Sequence, residues 1–274
     1  MASYRSVKVH LARNLLLFFV LAGVTAGLVW WRRDQPAQGI NPTISETVTP
    51  TRNPMVEASG FNKSQYSVND PASAWVVVNK GRILPSGYKP SGLVAPNIKL
   101  NGSSGSDNMQ LREDAASALG KLAAAAVTNS VKLVLVSGFR SYATQQSVYS
   151  GYVNSQGQAY ADSTSARAGH SEHQTGLAAD LGTSSGQCQL EECFANTAEG
   201  KWLKSNAYKY GFIIRYEKDK QDLTGYDYEP WHLRFVGEKL AAELKKAGQT
   251  LEQFFDLPAY ADYPAESYKL DVGR

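Results

Sequence analysis

Residues 171–180 read Ser-Glu-His-Gln-Thr-Gly-Leu-Ala-Ala-Asp, and their spacing restricts the fold more than any other feature of the chain. The segment pairs a histidine, His173, with an aspartate, Asp180. If both hold one metal ion, bonds of about 2.0–2.2 Å bring their donor atoms to within about 3–3.5 Å of each other. Seven residues of continuous strand would separate the two Cα atoms by roughly 23 Å. Seven residues of helix would separate them by about 10.5 Å, with both side chains pointing the same way. Neither converges. The chain has to fold back between them, and Gly176 is the residue whose backbone permits it. Ala178, Ala179, Asp180 and Leu181 then read as a strand that brings small side chains to the site.

A second segment, Glu229-Pro230-Trp231-His232, adds another imidazole and another carboxylate. Pro230 keeps Glu229 out of helical conformation and sets a turn at the mouth of the following strand. Such a turn presents both side chains to one cavity, with His232 as a third ligand and Glu229 as a base beside a position left for water. The spacing alone leaves another reading open, since a histidine at a strand end is commonly structural. The HExxH pattern of the zincins is absent. With 2 cysteines and 4 histidines in the whole chain, Cys-rich zinc modules and iron–sulfur clusters are excluded.

The surrounding pattern is α+β. Residues 74–78 (AWVVV), 132–136 (KLVLV), 212–216 (FIIRY) and 232–235 read as strands. Residues 110–126, 143–152, 202–210 and 236–247 read as helices, the last stopping before Gly248. Residues 163–170 read as loop, His170 included. No regular βα alternation links these elements, so the expected sheet is small and mainly antiparallel, flanked by helices, with the metal site at the sheet. Neither internal repeats nor a Gly-rich phosphate loop is present.

Residues 15–31 form an apolar run ending in Trp30 and Trp31, with Arg5, Lys8 and Arg13 before it and Arg32 and Arg33 after it. At about 1.5 Å per residue the run approaches the thickness of a bilayer core. It is expected to be a membrane helix, so that residues 1–33 form a cytoplasmic stub and anchor and the rest lies outside the cytoplasm. A cleaved signal peptide is the alternative. Residues 34–67, rich in Pro, Thr, Ser and Asn, read as a flexible tether, residues 68–258 as the folded domain and residues 259–274 as a tail. Export allows Cys188 and Cys193 to pair, and a loop this short would serve local shaping. A redox pair or metal ligands are the other uses of two such cysteines. The net charge of +3 is too small for a nucleic-acid footprint. Oligomeric state is left open.

Ser171-x-His173-x-x-Gly176-x-Ala178-x-Asp180 followed by Glu229-x-Trp231-His232 resembles the signature of the VanY-type D-alanyl-D-alanine carboxypeptidases. These belong to a zinc metallopeptidase superfamily that includes lysostaphin and the hedgehog signalling domain. Ser137-Gly138-Phe139-Arg140-Ser141 with Gln145 resembles a further element of that family. So do Val76 to Lys80 with Leu84, Pro85 and Tyr88. The resemblance covers roughly residues 74–247. It implies zinc held by His173, Asp180 and His232, with Glu229 as base and Arg140 near the scissile carbonyl or the substrate carboxylate. It further implies that Gln145 and Ser171 bind the peptide. The implied activity is trimming of peptidoglycan stem peptides at the D,D bond. The alternatives are the L,D bond of the tetrapeptide, cross-link cleavage by an endopeptidase, and a non-catalytic zinc-stabilised module that binds cell wall.

Overall fold

The computed structural model describes residues 60–271. The apolar run at 15–31 and most of the expected tether lie outside the described residues. Among the described residues, no helix is long and apolar enough to cross a membrane.

Short strands come first: β1 (Arg82–Ile83), β2 (Leu93–Val94), β3 (Lys99–Leu100) and β4 (Leu111–Arg112). Helix α1 (Glu113–Thr128) follows, with Glu113 and Asp114 in its first turn, where the helix dipole favours acidic side chains. Its buried stripe of Ala115, Leu119, Leu122 and Ala126 packs into the main core. Strand β5 (Leu133–Ser137) is buried at every position. Ser141 caps α2 (Tyr142–Gln156) by accepting a hydrogen bond from the Thr144 amide, and α3 (Gln158–Thr164) continues past Gly157. Strand β6 (Ala178–Thr183), α4 (Ala198–Asn206), β7 (Phe212–Ile214), α5 (Gln221–Thr224) and β8 (His232–Phe235) lead to α6 (Glu238–Ala247). Gly248, in the left-handed region, ends α6 as the sequence predicts. A capping box at Thr250 starts α7 (Leu251–Phe254), and β9 (Tyr268–Lys269) comes last.

The central sheet has five strands in the order β3-β5-β6-β8-β7. Only the β3–β5 pairing is parallel, so the sheet is mainly antiparallel and the mixed α+β class stands as expected. Strands β6 and β8 lie in the middle. Their neighbours on both sides satisfy their backbone groups and hold their side chains in fixed register.

Residues 74–78 correct one expectation. Trp75 to Val78 are buried, with Val76, Val77 and Val78 at 0% exposure, yet the run forms no strand. Arginine side chains take the places of a neighbouring strand: Arg234 Nη2 donates to the carbonyls of Ala74 (3.1 Å) and Val76 (2.7 Å), and Arg82 Nε donates to that of Val77 (2.8 Å). Residues 60–67, expected in the tether, lie against the domain, where Phe61 stacks on Trp75 with ring centroids 5.4 Å apart. The segment after Pro258 also lies on the domain, with β9 pairing β1 in parallel.

Candidate metal centre

Gly176 adopts φ +70°, a conformation that side-chain-bearing residues rarely take. It turns the short 3₁₀ segment Glu172–Thr175 back onto β6 and so supplies the reversal that the His173–Asp180 spacing requires. Asp180 and His232 sit directly opposite each other on β6 and β8, where side chains of paired residues share a face. His173 Nε2 is 3.2 Å from Asp180 Oδ2, and His232 Nδ1 is 3.0 Å from Asp180 Oδ1. The two imidazole rings meet edge-on, 5.0 Å between centroids. All three ligand atoms lie within 4.8 Å of one another.

Each imidazole is turned inward by what its other nitrogen touches. His173 Nδ1 is 2.6 Å from the carbonyl of Gly138, which can only accept, so Nδ1 carries the proton and Nε2 keeps its lone pair for the site. Gly138 is itself required there, because a Cβ would overlap the Gln110 carbonyl. His232 Nε2 faces Glu172 Oε2 at 3.5 Å, which leaves Nδ1 for the site. Burial pushes His173 below its ordinary value, favouring the neutral ring. Burial also disfavours charge on His232, but the carboxylates of Asp180 and Glu172 beside it override that and push the ring up to about 10. Asp180 stays well below the carboxylate range, because His173 and His232 outweigh its burial. Asp180 Oδ1, Glu172 Oε2 and His232 Nε2 are buried polar atoms without a hydrogen-bond partner. Two imidazole nitrogens and a carboxylate, oriented from behind and electrostatically suited to a cation, fit a zinc ion with a fourth position to spare.

Glu172 is the residue that sequence reasoning missed. It accepts from Arg215 Nε and from Arg234 Nη1, both at 2.8 Å. Arg215 continues to Glu252 at 3.0 and 2.6 Å, and Asn79 closes on Glu252 at 3.0 Å. The available signal was an arginine inside each of two apolar strand runs, FIIRY and HLRF, where a charge needs a buried partner. Glu172→Ala should leave the Arg234 guanidinium without its carboxylate and Arg215 with Glu252 alone. We expect a loss of about 3–5 kcal/mol in denaturant unfolding, the usual result of breaking a buried pair from one side. Burial would raise the carboxyls of Glu172 and Glu252, yet the arginines hold both below their ordinary values. Groups depressed in this way stabilise the fold at neutral pH, and that stability fades as pH falls through the folded-state values.

A cavity of about 460 Å³ opens over the three ligands, and Arg140, Gln145, Ser171 and Glu229 all line it. Glu229 Oε2 is 3.6 Å from His232 Nδ1. Burial pushes its carboxyl up to about 8, with His232 pulling the other way. Arg140 lies 3.9 Å from Asp180 Oδ2 and donates to Gln145 Oε1 at 2.8 Å and to Ser137 Oγ at 2.9 Å. The Gln145 amide is thus engaged with Arg140 and, through Nε2, with the Ala166 carbonyl at 2.6 Å. His170 lies outside the cluster, with Nδ1 2.9 Å from the Asn79 carbonyl. Cys188 and Cys193 form a disulfide with Cα atoms 5.5 Å apart. The loop they close carries Leu190, Glu191 and Glu192 to the cavity rim.

A buried His–Asp–His donor set on an antiparallel sheet, with a carboxylate and an arginine beside it in an open cavity, is the equipment that metal-dependent hydrolysis requires. The family described as VanY, D-alanyl-D-alanine carboxypeptidase, matches residues 108–238. The chain is 43% identical to "Putative carboxypeptidase YodJ" of Bacillus subtilis (strain 168) over 190 residues, 69% of this chain and 70% of that protein. It is similar to the solved structure of the LdcB LD-carboxypeptidase, with 41% identity, a TM-score of 0.65, and 73% of this chain and 89% of that one covered. It is also similar to a vancomycin-resistance D,D-pentapeptidase, VanY, solved with Zn(II), at 29% identity and a TM-score of 0.52, covering 65% and 97% of the two chains. The chain belongs to the VanY family of D-alanyl-D-alanine carboxypeptidases.

Proposed function

We propose that this chain is a zinc-dependent D-alanyl-D-alanine carboxypeptidase that trims the stem peptides of peptidoglycan. The observation that carries this reading is the convergence of His173 Nε2, Asp180 and His232 Nδ1 within 4.8 Å of one another on the floor of the cavity that Glu229 and Arg140 line. His173, Asp180 and His232 hold the metal. Zinc bound there supplies Lewis-acid polarisation of a carbonyl and brings the pKa of water towards ~7. Glu229 acts as base: it removes a proton from the attacking water and returns it to the leaving amine. Arg140 pairs with the developing oxyanion or with the terminal carboxylate of the peptide, a use that suits a guanidinium fixed by two hydrogen bonds. Ser171 contributes a hydroxyl to the same wall.

The likeness to LdcB favours a second reading, cleavage of the L,D bond of the tetrapeptide stem. The same ligand set serves both bonds, and selectivity rests on cavity shape. The deciding assay follows alanine release from a stem pentapeptide and a stem tetrapeptide in parallel, with and without chelator, alongside mass spectrometry of digested muropeptides. Release from neither substrate would abandon the carboxypeptidase reading in favour of an endopeptidase or a wall-binding module. The apolar run at 15–31 supports a single-pass anchor with the domain outside the cytoplasm. Recovery of the full chain in the soluble fraction would count against it.

Leu190 and Cys188, with φ of 57° and 53°, hold the disulfide loop in a tight path along the rim. Replacing Cys188 and Cys193 together by serine should raise the KM for the stem peptide while zinc content stays at one per chain. Because the closed loop is short, the loss of stability should be at most about 2 kcal/mol.

A further inference from the structure

Residues beyond Pro258 lie outside the matched family region, which ends at 238. They nevertheless pack on the domain. Strand β9 pairs β1, Leu270 is 2% exposed, and Lys80 Nζ donates to the Ala261 carbonyl at 2.8 Å. Between these anchors stands Tyr263. Its hydroxyl accepts the backbone N–H of Arg167 at 2.8 Å. The carbonyl of that same peptide group, Ala166 O, accepts from Gln145 Nε2 at 2.6 Å, and Gln145 Oε1 accepts from Arg140 Nη1 at 2.8 Å. A single peptide group therefore joins the tail to the guanidinium in the cavity, bonded at both of its ends.

The ring of Tyr263 is also fixed on every side. The Arg167 guanidinium lies over it, 4.0 Å from the centroid, and is itself paired with Asp162 on α3 at 2.8 and 3.0 Å. Asp162 accepts from Tyr149 on α2 at 2.7 Å, so the hairpin that forms one cavity wall is held at the same point. His170 meets the ring edge-on at 5.1 Å. On the other side the Tyr263 hydroxyl is 3.2 Å from that of Tyr226, which packs on Tyr216, and Tyr216 packs on His232.

We propose that Tyr263 is a positioning residue for Arg140: through the Ala166–Arg167 peptide group and Gln145 it sets the guanidinium, and of the two uses of Arg140 the one it serves is pairing with the substrate's terminal carboxylate. This rests on the reading of Arg140 given above. Removing the hydroxyl leaves the Arg167 N–H without its acceptor. The peptide group can then rotate, Gln145 Nε2 is left with its longer bond to Ser165 Oγ at 3.3 Å, and one of the two anchors of Arg140 is loosened. Chains of hydrogen bonds polarise one another, so the loss at one end weakens the bond at the other.

Tyr263→Phe keeps the ring over Arg167 and deletes only the hydroxyl. Tyr268→Phe, in the same tail and half exposed, is the control. On the full chain, Tyr263→Phe should raise the KM for the stem peptide roughly 3- to 10-fold, the worth of one hydrogen bond, with kcat changed less. Zinc content should stay at the parental level. The Gln145 side-chain amide signals in a ¹⁵N NMR spectrum of the zinc-loaded protein should shift in Tyr263→Phe and stay in place in Tyr268→Phe. In a Gln145→Ala background the further effect of Tyr263→Phe on KM should vanish. Parental KM with unmoved Gln145 signals would overturn the proposal, as would additive effects of the two substitutions. If the parent releases no alanine from any stem peptide, the carboxypeptidase reading fails by itself, and the Gln145 signals decide the relay independently.

Discussion

Glu229→Gln should bind a full equivalent of zinc and lose on the order of 10²–10⁴ in turnover, the usual contribution of a positioned acid–base group. Glutamine fills the same space and keeps an oxygen near His232 but cannot accept the proton. The Glu229 side chain is 13% exposed, and its burial pushes the carboxyl up to about 8 while His232 pulls the other way. A metal ion placed among the same groups would draw it down and keep it ready as a base. The measurement is zinc content by elemental analysis together with alanine release from both stem peptides. Parental turnover in Glu229→Gln would remove it from the reaction; loss of zinc would make it a ligand instead.

His173→Ala should lose metal and activity together. The ring brings Nε2 to 3.2 Å from Asp180 Oδ2, while its Nδ1 is held by the Gly138 carbonyl. With one of three ligands gone, a His–Asp pair remains, too few protein donors for the usual three-ligand catalytic site. Zinc affinity should be measured by competition with a chromophoric chelator, and the fold checked by far-UV circular dichroism. A folded His173→Ala protein with undiminished zinc affinity would refute the ligand assignment. These two variants separate the roles: one keeps the ion and stops the chemistry, the other loses both.

Much of the site was legible because its constraints are local. The reversal at Gly176 followed from the distance between His173 and Asp180, and β5, β6 and β8 followed from short runs of buried side chains. The support behind the ligands was not legible, because it is made by residues far apart in sequence. Arg215 and Arg234 look like surface charges on half-exposed strands, yet both are fully buried, and Glu172 lies between them at 2.8 Å from each. Residues 74–78 misled for the same reason: an apolar β-branched run usually finds a strand partner, and here arginine side chains serve its carbonyls instead. Arginine contacts that reach 43 to 160 positions along the chain leave no periodicity to read.

The ion pair between Arg215 and Glu252 has a consequence for the order of assembly. Glu252 sits in α7, the last helix, while the histidine whose orientation depends on this network lies 20 positions earlier, in β8. Until α7 docks, Arg215 lacks Glu252, and the carboxylate behind His232 is held by a guanidinium that has lost two of its three side-chain bonds. A chain whose C-terminal part has not yet folded therefore holds its ligands but not their aim. A metal held by these residues would then meet its complete support only once α7 has docked, and its capture would be coupled to completion of the fold.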